Sequence, residues 1–240
     1  MNPTLQWTIA IGASYLIGAI PFGLLVGLAR GIDVRTVGSG NIGATNVMRA
    51  LGHPWGDICF ALDVFKGLLP VVGFGWWLGV LGRPDPSVAQ AWLWLAVAAS
   101  CILGHIFPVY LRFKGGKGVA TGFGALLGVW PHASIAALLA LVVWIATLKT
   151  TRYVSLASCA AAISLPLVIV VGRLLGWPAS DASPLERVLA GWPFLLLTGM
   201  LAVLVVARHT GNLRRIRAGT EHRVGEPKQD REDAGTPEKA

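Results

Sequence analysis

Long apolar runs constrain this chain more than any other feature. Five of them, at 7–29, 57–82, 88–112, 153–175 and 187–208, each have the length of a bilayer crossing. A spanning helix needs roughly 20 mainly apolar residues. Inside lipid the backbone must satisfy its own hydrogen bonds, which a helix does within a single segment. Only 13% of residues are charged, against 54% hydrophobic. A soluble domain carries about 25% charged residues, so lipid is the solvent this composition suits. The fold class is all-α, a polytopic membrane protein.

A sixth apolar stretch, 119–148, is too long for one ordinary span. Trp130-Pro131-His132 interrupts it, and proline breaks or kinks a helix. The positive-inside bias decides between one bent span and two. With two spans, an outside N-terminus and a cytoplasmic C-terminus, sixteen lysines and arginines fall inside and three (Arg83, Arg173, Arg187) fall outside. With one span the basic C-terminal segment would lie across the membrane from Arg30, Arg35 and Arg49. The sequence therefore predicts seven transmembrane helices, one of them short. Residues 119–130 reach only ~18 Å at 1.5 Å per residue, so that helix should be tilted, partly re-entrant or shielded by protein. Residues 1–224 read as one membrane domain and 225–240 as a disordered cytoplasmic tail. The first run reads as a retained helix, since Met1–Gln6 carries no lysine or arginine. Cys59, Cys101 and Cys159 sit in apolar segments at spacings that fit neither a metal site nor a disulfide framework.

The formal net charge is +8. The cations lie between apolar runs, so they read as topology signals and contacts to anionic groups rather than as a nucleic-acid surface. Three inside segments concentrate the polar chemistry. Gly38-Ser39-Gly40-Asn41-Ile42-Gly43-Ala44-Thr45-Asn46-Val47-Met48-Arg49 is a glycine-rich loop entering a helix at Ala44 or Thr45. Its amide groups can cradle an anion, and Arg49 offers a fork for phosphate. Phe113-Lys114-Gly115-Gly116-Lys117-Gly118 stands directly before a helix N-terminus, where dipole, amides and ammonium all favour phosphate. The spacing is not that of a nucleotide-binding P-loop. Gly118-x-x-x-Gly122 and Gly124-x-x-x-Gly128 would also serve close helix packing. In the third segment, from His209 to Glu221, His209 and Asn212 share a helix face.

Two intramembrane features accompany these. Asp63 and Lys66, three residues apart near the inner end of the second span, are expected to pair, because an isolated charge in lipid costs several kcal/mol. His105 precedes Pro108 in the third span and reads as a hydrogen-bonded structural histidine. On these residues alone an enzyme and a transporter for a phosphorylated anion stand about level. A transporter needs a polar path to the outside, yet the outer loops are poor in polar clusters.

At these segments the chain resembles the bacterial membrane-integral acyl-phosphate:glycerol-3-phosphate acyltransferases. The resemblance rests on GSGNIGATNVMRALG from Gly38, LDVFKG from Leu62, GHIFPVYLRFKGGKGVAT from Gly104 and HTGNLRRIRAGTE from His209. It implies a seven-span enzyme of the bacterial cytoplasmic (inner) membrane with its active site on the cytoplasmic side. It implies transfer of a long-chain acyl group from acyl phosphate to the sn-1 hydroxyl of glycerol 3-phosphate, giving lysophosphatidic acid and phosphate. It further implies that Ser39 and Arg49 bind glycerol 3-phosphate with Asn41 nearby. Lys117, Gly115, Gly116 and Gly118 would then serve the acyl phosphate, and His209 and Asn212 would complete the site. Thr45, Asn46, Asp63, Lys66, His105 and Glu221 are expected to support it. The partners implied are the two substrates, membrane lipid and functional coupling to the enzyme that makes acyl phosphate. No metal or other cofactor is implied.

An acyl phosphate is an activated anhydride, so alignment and oxyanion stabilisation matter more than a strong base. The proton acceptor is His209 or an oxygen of a substrate phosphate. The second is preferred, because no nucleophile–base–carboxylate triad is apparent. An acyl-Ser39 intermediate is the less favoured route.

Overall fold

The computed structural model describes residues 1–178 and 180–225. Among them every regular element is helical: α1 (Pro3–Gly18), α2 (Phe22–Ala29), α3 (Ala44–Leu51), α4 (His53–Trp77), α5 (Val88–Ile106), α6 (Val119–Gly128), α7 (Ser134–Thr151), α8 (Val154–Leu174), α9 (Pro184–Ala190) and α10 (Trp192–Arg217). Six spans are long and apolar enough to cross a membrane: α1 and α2 taken together, α4, α5 with the short 3-10 turn after it, α7, α8 and α10. The apolar α6 is shorter. Together these make the expected seven. The expected tail, 225–240, lies outside the described residues except for Gly225.

The first span differs from its expectation. One helix over 7–29 was predicted, but the chain breaks at Ala19–Pro21. Proline cannot donate to the helical ladder, so carbonyls below it lose partners. The chain turns there, and the Ile20 carbonyl accepts from the Phe22 amide at 3.1 Å and from Lys66 Nζ at 2.8 Å. That ammonium also sits 2.7 Å from Asp63 Oδ1, with both side chains almost fully buried. The predicted pair is therefore present, and it also closes the helix break. Removing one partner of such a pair costs on the order of 3–5 kcal/mol, because the other charge stays buried alone.

The short α6 solves its length problem by shielding. Ten residues reach about 15 Å. The helix lies against α4 through glycines on both sides. A Cβ at Gly124 would lie 2.0 Å from the Val64 carbonyl oxygen, and one at Gly67 would lie 2.2 Å from that of Thr121. Gly128 likewise faces Val71 at 2.8 Å. The second of the two small-residue motifs thus packs helix on helix, whereas Gly122 has nothing closer than 3.8 Å.

The loops sort to two ends of the bundle. At one end Gly82 donates to the Trp130 carbonyl, His132 Nε2 meets the Arg83 carbonyl at 2.9 Å, and Arg173 reaches His132 Nδ1 at 2.9 Å. Trp76, Trp130, Trp177 and Trp192 lie exposed there, as interfacial tryptophans do. At the other end the loop 112–118 meets the end of α10, where Lys117 donates to Asn212 and Arg208 to the Gly116 carbonyl.

Candidate active site

Three segments build the site end. The first loop runs from Ile32 to Gly43 and is braced by Asn46, which is 2% exposed. Its Oδ1 accepts from the Ser39 amide at 2.9 Å and the Ser39 hydroxyl at 3.2 Å. Its Nδ2 donates to the carbonyls of Val34 and Val37. Gly38 and Gly40 turn the chain with φ of 59° and 67°, a region that L side chains rarely adopt. Asn41 Oδ1 accepts from the Gly43 amide and fixes the entry into α3. That helix begins at Ala44, as predicted.

Thr45 and Arg49 stand four residues apart on α3 and share a face. No hydrogen bond or ion pair holds the Arg49 guanidinium among the described residues. Burial pulls its pKa below its ordinary value, Glu221 opposing and Arg215 adding to the shift. The group remains a cation with its fork free.

The second loop is built differently. Gly115 donates its amide to the Ile106 carbonyl at 3.2 Å, and Gly116 donates to that of His105 at 3.1 Å. These two amides, expected to cradle an anion, are committed to the end of α5. The glycines permit a close approach: a Cβ at Gly116 would lie 2.0 Å from His105 Nε2. Gly118 is left-handed (φ 79°) and caps α6. Among the described residues the first-turn amides of Val119, Ala120 and Thr121 have no backbone partner, the usual state of a helix N-terminus.

Between these loops stands the third segment. Lys117 Nζ donates to Asn212 Oδ1 at 2.5 Å, and Asn212 Nδ2 donates to Glu221 Oε1 at 2.6 Å. Arg215 Nε meets Glu221 Oε2 at 2.7 Å. Burial pushes the Lys117 ammonium from 10.5 down to about 8; Glu221 opposes that shift, while Arg215 and Arg49 add to it. Those mutual effects put Arg49, Lys117, Arg215 and Glu221 in one electrostatic neighbourhood. His209 is 3% exposed, and its Nδ1 lies 2.8 Å from the Val205 carbonyl. A carbonyl only accepts, so Nδ1 carries the proton and Nε2 keeps a lone pair.

Of the residues predicted for the site, Arg49, Lys117, His209, Asn212 and Glu221 are brought together. Ser39, Asn41 and Asn46 form the neighbouring loop. Asp63, Lys66 and His105 lie beneath it: His105 Nδ1 is 3.6 Å from Asp63 Oδ1. Sequence reasoning missed Arg208, which donates to the Gly116 carbonyl at 2.9 Å, and the role of Arg215. It also missed Thr121 and Ser155, whose hydroxyls are buried without a partner among the described residues. An arginine close after an apolar run is a weak signal for the first, and nothing in the pattern marks the serine.

An apolar crevice opens beside the cations. It starts at Gly118 and Val119 and runs between α6, α7, α8 and α10 to Leu126, Ala137 and Leu165. A cationic cluster against an apolar crevice suits an amphiphile with an anionic head.

Residues 8–219 match the family described as glycerol-3-phosphate acyltransferase. A glycerol-3-phosphate acyltransferase of Geobacter sulfurreducens is 42% identical over 215 residues, covering 90% of this chain and 96% of the relative. One from Aquifex aeolicus is 37% identical, covering 88% and 95%. The fold is similar to the crystal structure of PlsY, an integral membrane glycerol 3-phosphate acyltransferase, in its glycerol 3-phosphate form. The TM-score is 0.74 at 36% identity, over 91% of this chain and 96% of that one. The lysophosphatidic acid form of that protein matches with a TM-score of 0.73 at 35% identity, over 91% and 95%.

Proposed function

This chain belongs to the glycerol-3-phosphate acyltransferase family, and from that premise we propose that its acyl donor is a long-chain acyl phosphate and its product lysophosphatidic acid. One observation carries the reading: Lys117 adjoins Gly118 and Val119, where the apolar crevice begins. The acyl chain lies in the crevice and its phosphate meets Lys117 and the first-turn amides of α6. Ser155 Oγ is a further candidate donor. Glycerol 3-phosphate enters from the first loop, with its phosphate on the Arg49 fork and Ser39 and Asn41 at its flank. Gly115, Gly116 and Gly118 serve the donor side by shaping the loop. Thr45, Asn46, Asp63, Lys66, His105 and Glu221 hold these groups in place.

In the reaction the glycerol C1 hydroxyl attacks the acyl carbonyl carbon. The bond from that carbon to the phosphate oxygen breaks, and inorganic phosphate leaves. The glycerol C2 hydroxyl donates a hydrogen bond to His209 Nε2, which orients the substrate, and the proton of the attacking C1 hydroxyl passes to an oxygen of the departing phosphate. Lys117 offsets the charge that gathers there. Alignment supplies most of the acceleration, because the donor is already activated. The positive-inside bias of the sequence favours a cytoplasmic site, a cytoplasmic C-terminus and an outside N-terminus. The membrane is the bacterial inner membrane, where the enzyme that makes acyl phosphate would supply the donor.

The test is phosphate release by the purified protein given palmitoyl phosphate with and without glycerol 3-phosphate. Release that requires glycerol 3-phosphate, with an equal amount of lysophosphatidic acid, supports the reading. Turnover only with acyl-CoA or acyl carrier protein donors overturns it. The role of His209 separates in two variants. His209→Gln keeps an acceptor and should lose less than about 10-fold in kcat, whereas losing a general base costs ~10²–10⁴-fold. Equal, large losses in His209→Gln and His209→Ala would make imidazole the base.

A further inference from the structure

We propose that Arg208 is a positioning residue of the reaction: it holds the peptide between Gly116 and Lys117 so that the amide stays available to a substrate phosphate and the carbonyl stays turned away. This rests on the site reading above, but not on which of the two phosphates that loop receives. Arg208 Nη2 donates to the Gly116 carbonyl at 2.9 Å, across 92 positions of sequence. Its guanidinium carbon stands 5.8 Å from the centroid of the Phe107 ring at the end of α5, within reach of a cation–π contact. Arg208 is thus a held cation, whereas among the described residues no hydrogen bond or ion pair holds Arg49. A free guanidinium receives a ligand; a held one organises the backbone beneath it.

A trans peptide unit is planar, so its C=O and N–H point in opposite directions. The Gly116 carbonyl and the Lys117 amide belong to one such unit, and fixing the first fixes the second. Gly116 has no Cβ, and glycine leaves the plane beside it free to turn. The other side of Gly116 is already set. Its own amide donates to the His105 carbonyl at 3.1 Å, and the Gly115 amide donates to that of Ile106. Among the described residues the Lys117 amide has no backbone partner. If the plane swung, a phosphate there would meet a carbonyl acceptor in place of an amide donor. Arg208 opposes that swing. Its charge also polarises the peptide it binds, which makes the Lys117 amide a better donor.

The side chain at position 117 is held from the same place. Lys117 Nζ donates to Asn212, which lies one helical turn beyond Arg208, so the two residues share a face of α10. One helix face therefore sets both the backbone and the ammonium of Lys117. Kinetics should show this as a shared pattern. Lys117→Met raises the KM of whichever substrate places its phosphate at the loop. Arg208→Ala should raise the same KM by about 10-fold or more, leave the other within about twofold and change kcat by less than about threefold. Arg208→Lys keeps a charged donor of similar reach, and it should bring that KM back to within about threefold of wild type.

Hydrogen exchange of the substrate-free protein, read on peptides covering 113–121, separates positioning from direct contact. Arg208→Ala should speed exchange of the Gly115 and Gly116 amides by about 10-fold or more, and Arg208→Lys should restore their protection. Thermal melting and gel filtration check folding. Should Arg208→Ala fail to fold, Arg208→Gln takes its place with the same expected pattern. A raised KM with unchanged exchange would overturn the proposal, making Arg208 a direct ligand of the substrate. A KM pattern unlike that of Lys117→Met would overturn it too, as would equal losses in Arg208→Lys and Arg208→Ala. Failure of the site reading is separate: wild type would then form no lysophosphatidic acid with any donor, and the exchange measurement would still report on Arg208.

Discussion

The two glycine-rich loops of the site look alike in sequence and work by opposite physical means. In the loop around Gly38 and Gly40 the glycines supply left-handed backbone, and a buried polar side chain, Asn46, holds the turn. In the loop around Gly115 and Gly116 the backbone needs no such conformation at those two residues. There the glycines let the chain lie against the end of α5 with their amides bonded to its last carbonyls. The first loop thus keeps a free guanidinium beside a polar turn. The second loop brings one lysine to the end of a helix and the mouth of an apolar crevice. Glycine frequency does not distinguish a loop that must bend from one that must fit.

The largest expected effect tests whether the two loops serve different substrates. Arg49→Ala should lower kcat/KM for glycerol 3-phosphate by ~10²-fold or more, since a charge-assisted fork on phosphate is lost. The palmitoyl phosphate KM should stay within about twofold, as expected for a group making no contact with it. Steady-state kinetics with each substrate varied in turn read the difference. Equal changes in both would mean one shared phosphate site.

The next effect uses pH to isolate the second loop. Lys117 loses its proton near pH 8 in the folded protein, so the palmitoyl phosphate KM should rise as pH passes about 8. The glycerol 3-phosphate KM should stay flat, because Arg49 remains charged. Stability moves the opposite way. Between about 8 and the ordinary 10.5 the unfolded chain holds a proton that the folded chain has released, so this group's contribution to stability rises with pH across that window. Activity falling while Tm holds or rises is the signature. Lys117→Arg should move the activity decline to higher pH, and an unchanged decline would assign it elsewhere.

The smallest effect concerns backbone alone. Gly40→Ala forces a side chain into the left-handed region, at a cost of roughly 1–2 kcal/mol. It should lower Tm and weaken glycerol 3-phosphate use several-fold. No change of a neighbouring side chain should restore it, because the nearest atom to its Cβ is the Arg35 carbonyl oxygen at 3.1 Å. Rescue of Gly40→Ala by a side-chain substitution would erase the contrast with Gly116.

Much of this was legible in the chain itself. Hydropathy and cation placement give seven crossings, including the short one, and the motif spacing gives the family. The i,i+3 pairs Asp63–Lys66 and His209–Asn212 follow from helical periodicity. The break at Ala19–Pro21 was less legible. A proline in an apolar run signals it, but nothing local says that a lysine 46 residues on bonds the Ile20 carbonyl there. The loss of the Gly115 and Gly116 amides to α5 was not legible, since nothing local says which carbonyl folds back to meet them. Arg208 and Ser155 escaped notice because their significance depends on neighbours 92 residues away or on the absence of a partner.

The sequence by itself determined the solvent, the element type, the number of crossings and the chemical character of each loop. These follow from local terms: transfer of side chains to lipid, backbone self-satisfaction and charge asymmetry. The tertiary structure alone decided which cations share a site, which glycine amides stay available and why Gly116 tolerates no side chain. Those properties depend on distances between segments far apart in the chain, and packing sets them only once α4, α5, α6 and α10 have met.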